Sequence, residues 1–168
     1  DVYKRQIDGT DIKKFSLKNL RSQVSLVSQD IFLFADSIYN NISLFNKSIS
    51  RTEVENAAKE IGIFDFIKKL PGGFDYNVKE RGVMLSEGQR QLISFLRAYV
   101  SNPKILILDE ATSSIDSKTE QLIQYATNKI IADKTSIIIA HRLSTILNSD
   151  KIIYLENGEI KEVGTHQE

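Results

Sequence analysis

The chain has 168 residues, a length for one domain, and its 22 Lys and Arg balance its 22 Asp and Glu. A net charge of zero argues against a nucleic-acid footprint, and the lack of cysteine excludes a disulfide framework and a thiol nucleophile. With 41% apolar and 26% charged residues it can bury a core without staples, while its longest apolar runs, such as Ile105 to Leu108 and Ile137 to Ala140, fall short of a bilayer span. No signal-peptide pattern is read at the N-terminus, so any membrane contact is expected through another polypeptide or another segment.

In chain order, Val24 to Ser28 reads as a short strand. Ser50 to Glu60 reads as a helix, because Ser50 and Glu53 have the spacing of a capping box. Ile61 to Leu70 reads as a second short helix, stopped by Pro71-Gly72-Gly73. Ser86 to Val100 has Leu92, Ile93, Leu96 and Val100 at helical spacing. Ile105 to Asp109 is a continuous apolar run, the pattern of a strand covered on both faces. Ser117 to Ile131 is expected to be a helix with Leu122, Ile123, Ala126 and Ile130 inward, and Ser136 to Ala140 another buried strand. Lys151 to Leu155 and Glu159 to Val163 flank Asn157-Gly158, a dipeptide that favours a tight turn and so an antiparallel hairpin. Apolar strands separated by a helix imply an α/β fold: a parallel sheet with helices on its faces. Residues 45–100 are helix-rich and are expected to form a separate helical lobe.

Four short segments carry chemistry. Ile105-Leu106-Ile107-Leu108-Asp109-Glu110 is a buried strand ending on two carboxylates. Ligands of α/β proteins sit at the carboxyl ends of strands, where an Asp can hold hydrated Mg2+ near a nucleotide and an adjacent Glu can activate water. The same hexapeptide also reads as a strand followed by an acidic turn. In Leu85-Ser86-Glu87-Gly88-Gln89-Arg90-Gln91, Ser86 and Gln89 again have capping-box spacing. A glycine in the first turn costs about 1 kcal/mol against alanine, and it makes sense where something must approach the backbone; helix starts attract phosphate. Ile137-Ile138-Ile139-Ala140-His141-Arg142 puts a histidine after a strand, on the rim where the acidic pair would lie, as a phosphate sensor or proton-sharing group or simply as a surface histidine. Val27-Ser28-Gln29-Asp30 puts Gln29 after the first strand and gains meaning only from the other three.

Together these segments resemble the nucleotide-binding domain of ABC transporters, over nearly all of residues 7 to 168. Gln29 matches the Q-loop, and Leu85 to Gln89 the signature motif, with Glu87 where the commonest form has glycine. Ile105 to Asp109 matches the Walker B strand, followed by Glu110 as the expected catalytic carboxylate. Ser113-Ser114-Ile115-Asp116 matches the D-loop, and His141 the switch histidine. Three segments resemble the exporter branch: Asn77 to Gly82 its X-loop, with Lys79 for a usual glycine; Ala140 to Thr145; and Gln29 to Ser37, the stretch next to the transmembrane partner.

The resemblance implies a P-loop NTPase-like parallel sheet with flanking helices, a helical subdomain and a C-terminal antiparallel hairpin. It divides the chain, residues 1–168, into a partial core with the Q-loop (7–44), a helical subdomain (45–100) and a catalytic core (101–168). It implies ATP and Mg2+ as cofactors, a second nucleotide-binding domain and transmembrane domains as partners, no nucleic acid, and a place at the cytoplasmic face of a bacterial cell membrane. Two such domains would sandwich two ATP molecules head to tail. Ser86 and Gly88 would contact the γ-phosphate held by the partner, with Gln89 supporting the loop. Asp109, with Gln29, would hold the Mg2+ shell; Glu110 would polarise the attacking water; His141 would touch the γ-phosphate; Asp116 would link the two sites. ATP hydrolysis would drive export of a substrate that the sequence does not name.

The family's Walker A loop, Gly-x-x-x-x-Gly-Lys followed by Ser or Thr, has no match in the 168 residues. The expected reading is an N-terminally truncated domain, inactive alone and with exposed apolar edges. Asp1 to Gln6 do not match the family. Two alternatives stand beside this reading. A non-catalytic regulatory half of a heterodimer is disfavoured by the presence of Glu110, His141 and Gly88. A soluble ABC-type ATPase of DNA maintenance is disfavoured by the X-loop-like segment.

Overall fold

The computed structural model describes residues 4–109, 116–140, 146–147 and 149–167. Its elements in chain order are β1 (Gln6–Ile7), β2 (Thr10–Asp11), α1 (Leu17–Gln23), β3 (Val24–Val27), α2 (Ile38–Ser43), α3 (Arg51–Glu60), α4 (Phe64–Lys68), α5 (Glu87–Val100), β4 (Ile105–Asp109), α6 (Ser117–Ile131), β5 (Thr135–Ile139), β6 (Ile152–Glu156) and β7 (Glu159–Gly164). Strands β3, β4 and β5 form a parallel sheet in that order, in which Leu26, Ile107 and Ile137 stand side by side. The β6–β7 pair is a separate antiparallel ribbon. Its turn residues Asn157 and Gly158 both have positive φ, as a two-residue turn between right-twisted strands requires.

Both expected capping boxes form. The Ser50 hydroxyl accepts from the Glu53 amide and Glu53 reaches back to the Ser50 amide; Ser86 and Gln89 do the same at α5. Helix α4 is shorter than Ile61 to Leu70 suggests. Ile61 and Ile63 are fully buried around Gly62, whose positive φ breaks the helix there. Helix α5 packs on α2, α3, α6 and β3, and buries Leu92, Ile93, Phe95 and Leu96. Helix α6 buries Ile123, Ala126 and Ile130, as its spacing predicts; Leu122 is only partly covered.

The sheet differs from the expectation of two covered faces. Strand side chains alternate between faces. On one face Val27, Leu106 and Leu108 are buried in the core. On the other, Leu26, Ile137 and Ile139 are 61%, 54% and 51% exposed. The apolar composition of these strands therefore reflects two apolar faces, of which one is packed.

A tight crossing precedes α5. Gly82 has φ of +68°, and a Cβ there would lie 2.8 Å from Leu33 Cδ1 and 3.2 Å from Arg90 Cδ. Leu33 is fully buried, so it has little room to yield. Gly82→Ala is expected to lose about 2 kcal/mol or more of stability, from left-handed strain plus the clash. A urea midpoint equal to that of the parent sequence would refute this.

Candidate functional site

In a parallel sheet all strands end on one rim. Val27 pairs with Leu108, so Ser28 and Gln29 leave β3 beside the end of β4 at Asp109. Asp109 in turn pairs with Ile139, the last residue of β5, from which the chain runs to Ala140. Gln29 is exposed and Asp109 half-buried. The Ser28 hydroxyl donates to the Asp30 carbonyl (2.9 Å), which folds the loop that carries Gln29. The rim thus brings Gln29 and Asp109 together at adjacent strand ends. Glu110 and His141, which follow β4 and β5 in sequence, lie outside the described residues.

The start of α5 is a second feature. Ser86 Oγ accepts from the Gln89 amide (3.3 Å), and Gln89 Oε1 accepts from the Ser86 amide (3.0 Å). This reciprocal pair leaves the amides of Glu87 and Gly88 as first-turn donors that the box does not use. Gly88 is buried while Glu87 is exposed. Among the described residues, no hydrogen bond or ion pair joins this helix start to the rim.

Asp116 takes a local role: it is the N-cap of α6, its carboxylate accepting from the Thr119 amide (3.0 Å). That backbone hydrogen bond holds its pKa below the usual carboxylate value. A depressed folded-state pKa gives stability that is present above the unfolded value and lost as pH falls through the folded one. Asp116→Asn keeps a capping oxygen but does not titrate. The variant is expected to lose less stability between pH 7 and pH 3 than the parent sequence. Equal losses in urea titrations at the two pH values would show that this cap is not a source of the acid sensitivity.

No group of three or more His, Cys, Asp or Glu side chains converges on a metal-sized point among the described residues. A cleft of about 650 Å³, lined by Ile49, Glu53, Tyr99, Lys129 and Lys134 among others, contains none of the candidate site residues. It is wide open and mixed in charge, and the rim is the better candidate because its strand-end geometry is what phosphate chemistry uses.

One feature was only partly visible in the sequence. Of the apolar run Ile31 to Phe34, Leu33 is core, whereas Phe32 and Phe34 are 57% and 40% exposed. Phe34 packs edge-on against both Phe32 and Phe45, at 5.1 and 5.7 Å between ring centres. Arg97, near the end of α5, holds this loop from below. Its guanidinium donates to the carbonyls of Asn41 (2.8 Å) and Phe32 (3.3 Å). Burial lowers its pKa from the ordinary arginine value. Asn41, fully buried, accepts from the Phe34 amide (2.8 Å) and donates to the Phe34 carbonyl (3.0 Å). Only a polar residue 56 and 65 places from its partners hints at such a tie, and the sequence offers no pattern for it.

Comparison with known proteins agrees with the fold. The family model described as "ABC transporter" matches residues 4–113. YgaD of Bacillus subtilis, whose name describes a multidrug export ATP-binding/permease protein, is 48% identical over 96% of this chain and 28% of its own length. A Staphylococcus aureus protein of the same description is 50% identical over the same shares. The chain thus spans less than a third of the relatives it matches. Among solved structures, that of a bacterial Atm1-family ABC exporter with ATP bound superposes with a TM-score of 0.85 at 44% identity, over 96% of this chain and 28% of that one. With a family model matched over more than half its length, the chain belongs to the ABC transporter family.

Proposed function

We propose that this chain is part of the ATP-hydrolysing domain of a bacterial exporter and couples nucleotide turnover to movement of a substrate across a membrane. The observation that carries the reading is the shared rim, where Gln29 and Asp109 stand at adjacent ends of parallel strands. In this reading Asp109 and Gln29 bind the Mg2+ shell, and Glu110, next in sequence, orients the attacking water as general base. His141, next but one after β5, contacts the γ-phosphate. Bound Mg2+ would neutralise developing phosphate charge. Ser86, Gly88 and Gln89 offer a capped helix start, with two unspent amides and a favourable dipole, to the ATP of a second nucleotide-binding domain. Asp116, besides capping α6, would join the two halves in this reading. Glu87 is exposed, and in this reading its charge is turned away from the phosphate.

The exposed Phe32, Phe34 and Phe45 fit an apolar docking surface for transmembrane domains, at the cytoplasmic face of the membrane. The division into a partial core (7–44), a helical subdomain (45–100) and a catalytic core (101–168) belongs to the same proposal. The phosphate cradle would come from polypeptide outside these residues.

The test compares the purified 168-residue chain with the full-length exporter in lipid. The exporter is expected to release phosphate from ATP only with Mg2+, and the chain alone to release little. An exporter without Mg2+-dependent turnover would overturn the reading. Robust turnover by the chain alone, abolished by Glu110→Gln, would overturn the assignment of the phosphate cradle to other polypeptide.

A further inference from the structure

The reciprocal caps of Ser86 and Gln89 fix the first turn of α5, but the angle at which the chain enters that turn is set by other contacts. Leu85, the residue before the cap, is buried. Its amide donates to the Gly82 carbonyl (2.9 Å), and its carbonyl accepts from Arg90 Nη1 (3.0 Å). The Arg90 amide donates to the Ser86 carbonyl (3.0 Å). The stem of Arg90 runs along Gly82, where a Cβ would lie 3.2 Å from Arg90 Cδ and 3.5 Å from Cγ. Gly82, Leu85 and Arg90 thus close a ring of contacts beside the Glu87 and Gly88 amides.

The residue before a helix cap and the fourth residue after it often set the entry angle through an apolar contact. Leu85 and Arg90 hold those two positions, and a charge-assisted hydrogen bond takes the place of the apolar contact. The helix alone gives no reason for that charge. The positive end of a helix dipole favours an acid, which Glu87 supplies, and disfavours a guanidinium turned back to the same end. Among the described residues no carboxylate pairs with Arg90. An anion bound at the helix start would offset that cost.

We propose that Arg90 is a positioning residue for the start of α5: by holding the Leu85 carbonyl, it aims the Glu87 and Gly88 amides at the phosphates of the second domain's ATP. This rests on the reading of that helix start given under the proposed function.

The test is ATP turnover by the full-length exporter in lipid. Arg90→Met keeps a stem to lie on Gly82 and removes the donor. It is expected to raise KM for ATP about tenfold and leave kcat within about threefold, because misaimed amides lose binding made alike in the ground and transition states. Arg90→Lys returns one donor and is expected to recover much of the rise. A role confined to stability would instead lower the active fraction, and with it kcat, while KM stayed put. Hydrogen exchange over residues 83–88 is expected to quicken in Arg90→Met, and that over α3 to stay as in the parent sequence. Ser86→Ala, at an exposed position, reports on the helix start itself and is expected to raise KM as well. If Ser86→Ala raises KM and Arg90→Met does not, the proposal for Arg90 is overturned and the reading of the helix start stands. If neither variant moves KM, the helix start does not face ATP and both fall. A lysine variant no better than the methionine one, or unchanged exchange over residues 83–88, would overturn the assignment to the Leu85 tether.

Discussion

Replacing Glu110 by glutamine in the full-length exporter is expected to lower ATP turnover by about 10²–10⁴-fold, the contribution of a positioned general base. The substitution keeps the size and hydrogen-bonding reach of the side chain but removes its ability to take a proton from water. In the proposed site it also removes a negative charge from beside a polyphosphate, so ATP binding is expected to persist or tighten. Phosphate release and nucleotide binding, measured on one preparation, separate the two effects. Turnover within threefold of the parent sequence would take the general-base role from Glu110. Loss of both binding and turnover would point instead to a structural role at the end of β4.

The second large effect is expected at Arg97. Arg97→Met keeps much of the aliphatic stem but removes every donor, which leaves the Asn41 and Phe32 carbonyls without the guanidinium. Asn41 is fully buried, so its carbonyl has poor access to replacement water. The expected loss is about 2–4 kcal/mol, the range for charged hydrogen bonds whose acceptors are left buried. Arg97→Lys retains charge but not the fork that reaches two carbonyls, and should fall between the two. Urea denaturation checks both variants, and a loss under 0.5 kcal/mol for Arg97→Met would show that the loop is held by packing alone. Hydrogen exchange at the Phe34 amide, held by Asn41 Oδ1, reports the same tie locally.

These two predictions draw on different sources. Glu110 stood out because an apolar strand ending in two carboxylates is a local pattern. Strands β4 and β5, helices α3, α5 and α6, and the hairpin were legible for the same reason: each is written in contiguous residues as a period, a cap or a turn dipeptide. Helices α1 and α2 were not expected. Both are short, and neither carries a capping box; their Ser16 and Ser37 caps are ordinary serines until the structure shows their hydroxyls accepting from Asn19 and Asn40. Asp116 was read as a link between sites, and the capping bond it makes to Thr119 gives it a structural task as well. The Arg97 anchor joins residues more than fifty positions apart, and no local rule finds it. The one-sided packing of the sheet was also hidden, since apolar residues on both faces say that both can be covered, not that both are.

The strand order has a consequence in time. Val24 pairs with Ile105, about eighty positions later, whereas Ile105 pairs with Thr135 only about thirty positions on. Closing the first ladder must wait for α2 to α5 to be made, and such distant pairings are slow to form. At synthesis rates of about 5–20 residues per second, β3 waits roughly 4–16 s on the ribosome before its partner is complete. The helices between them, α2, α3 and α5, pack on one another and can begin to collapse during that interval. The nascent chain is then most vulnerable at β3, and a chaperone that shields Val24 to Val27 would act while α3 and α5 are still being made.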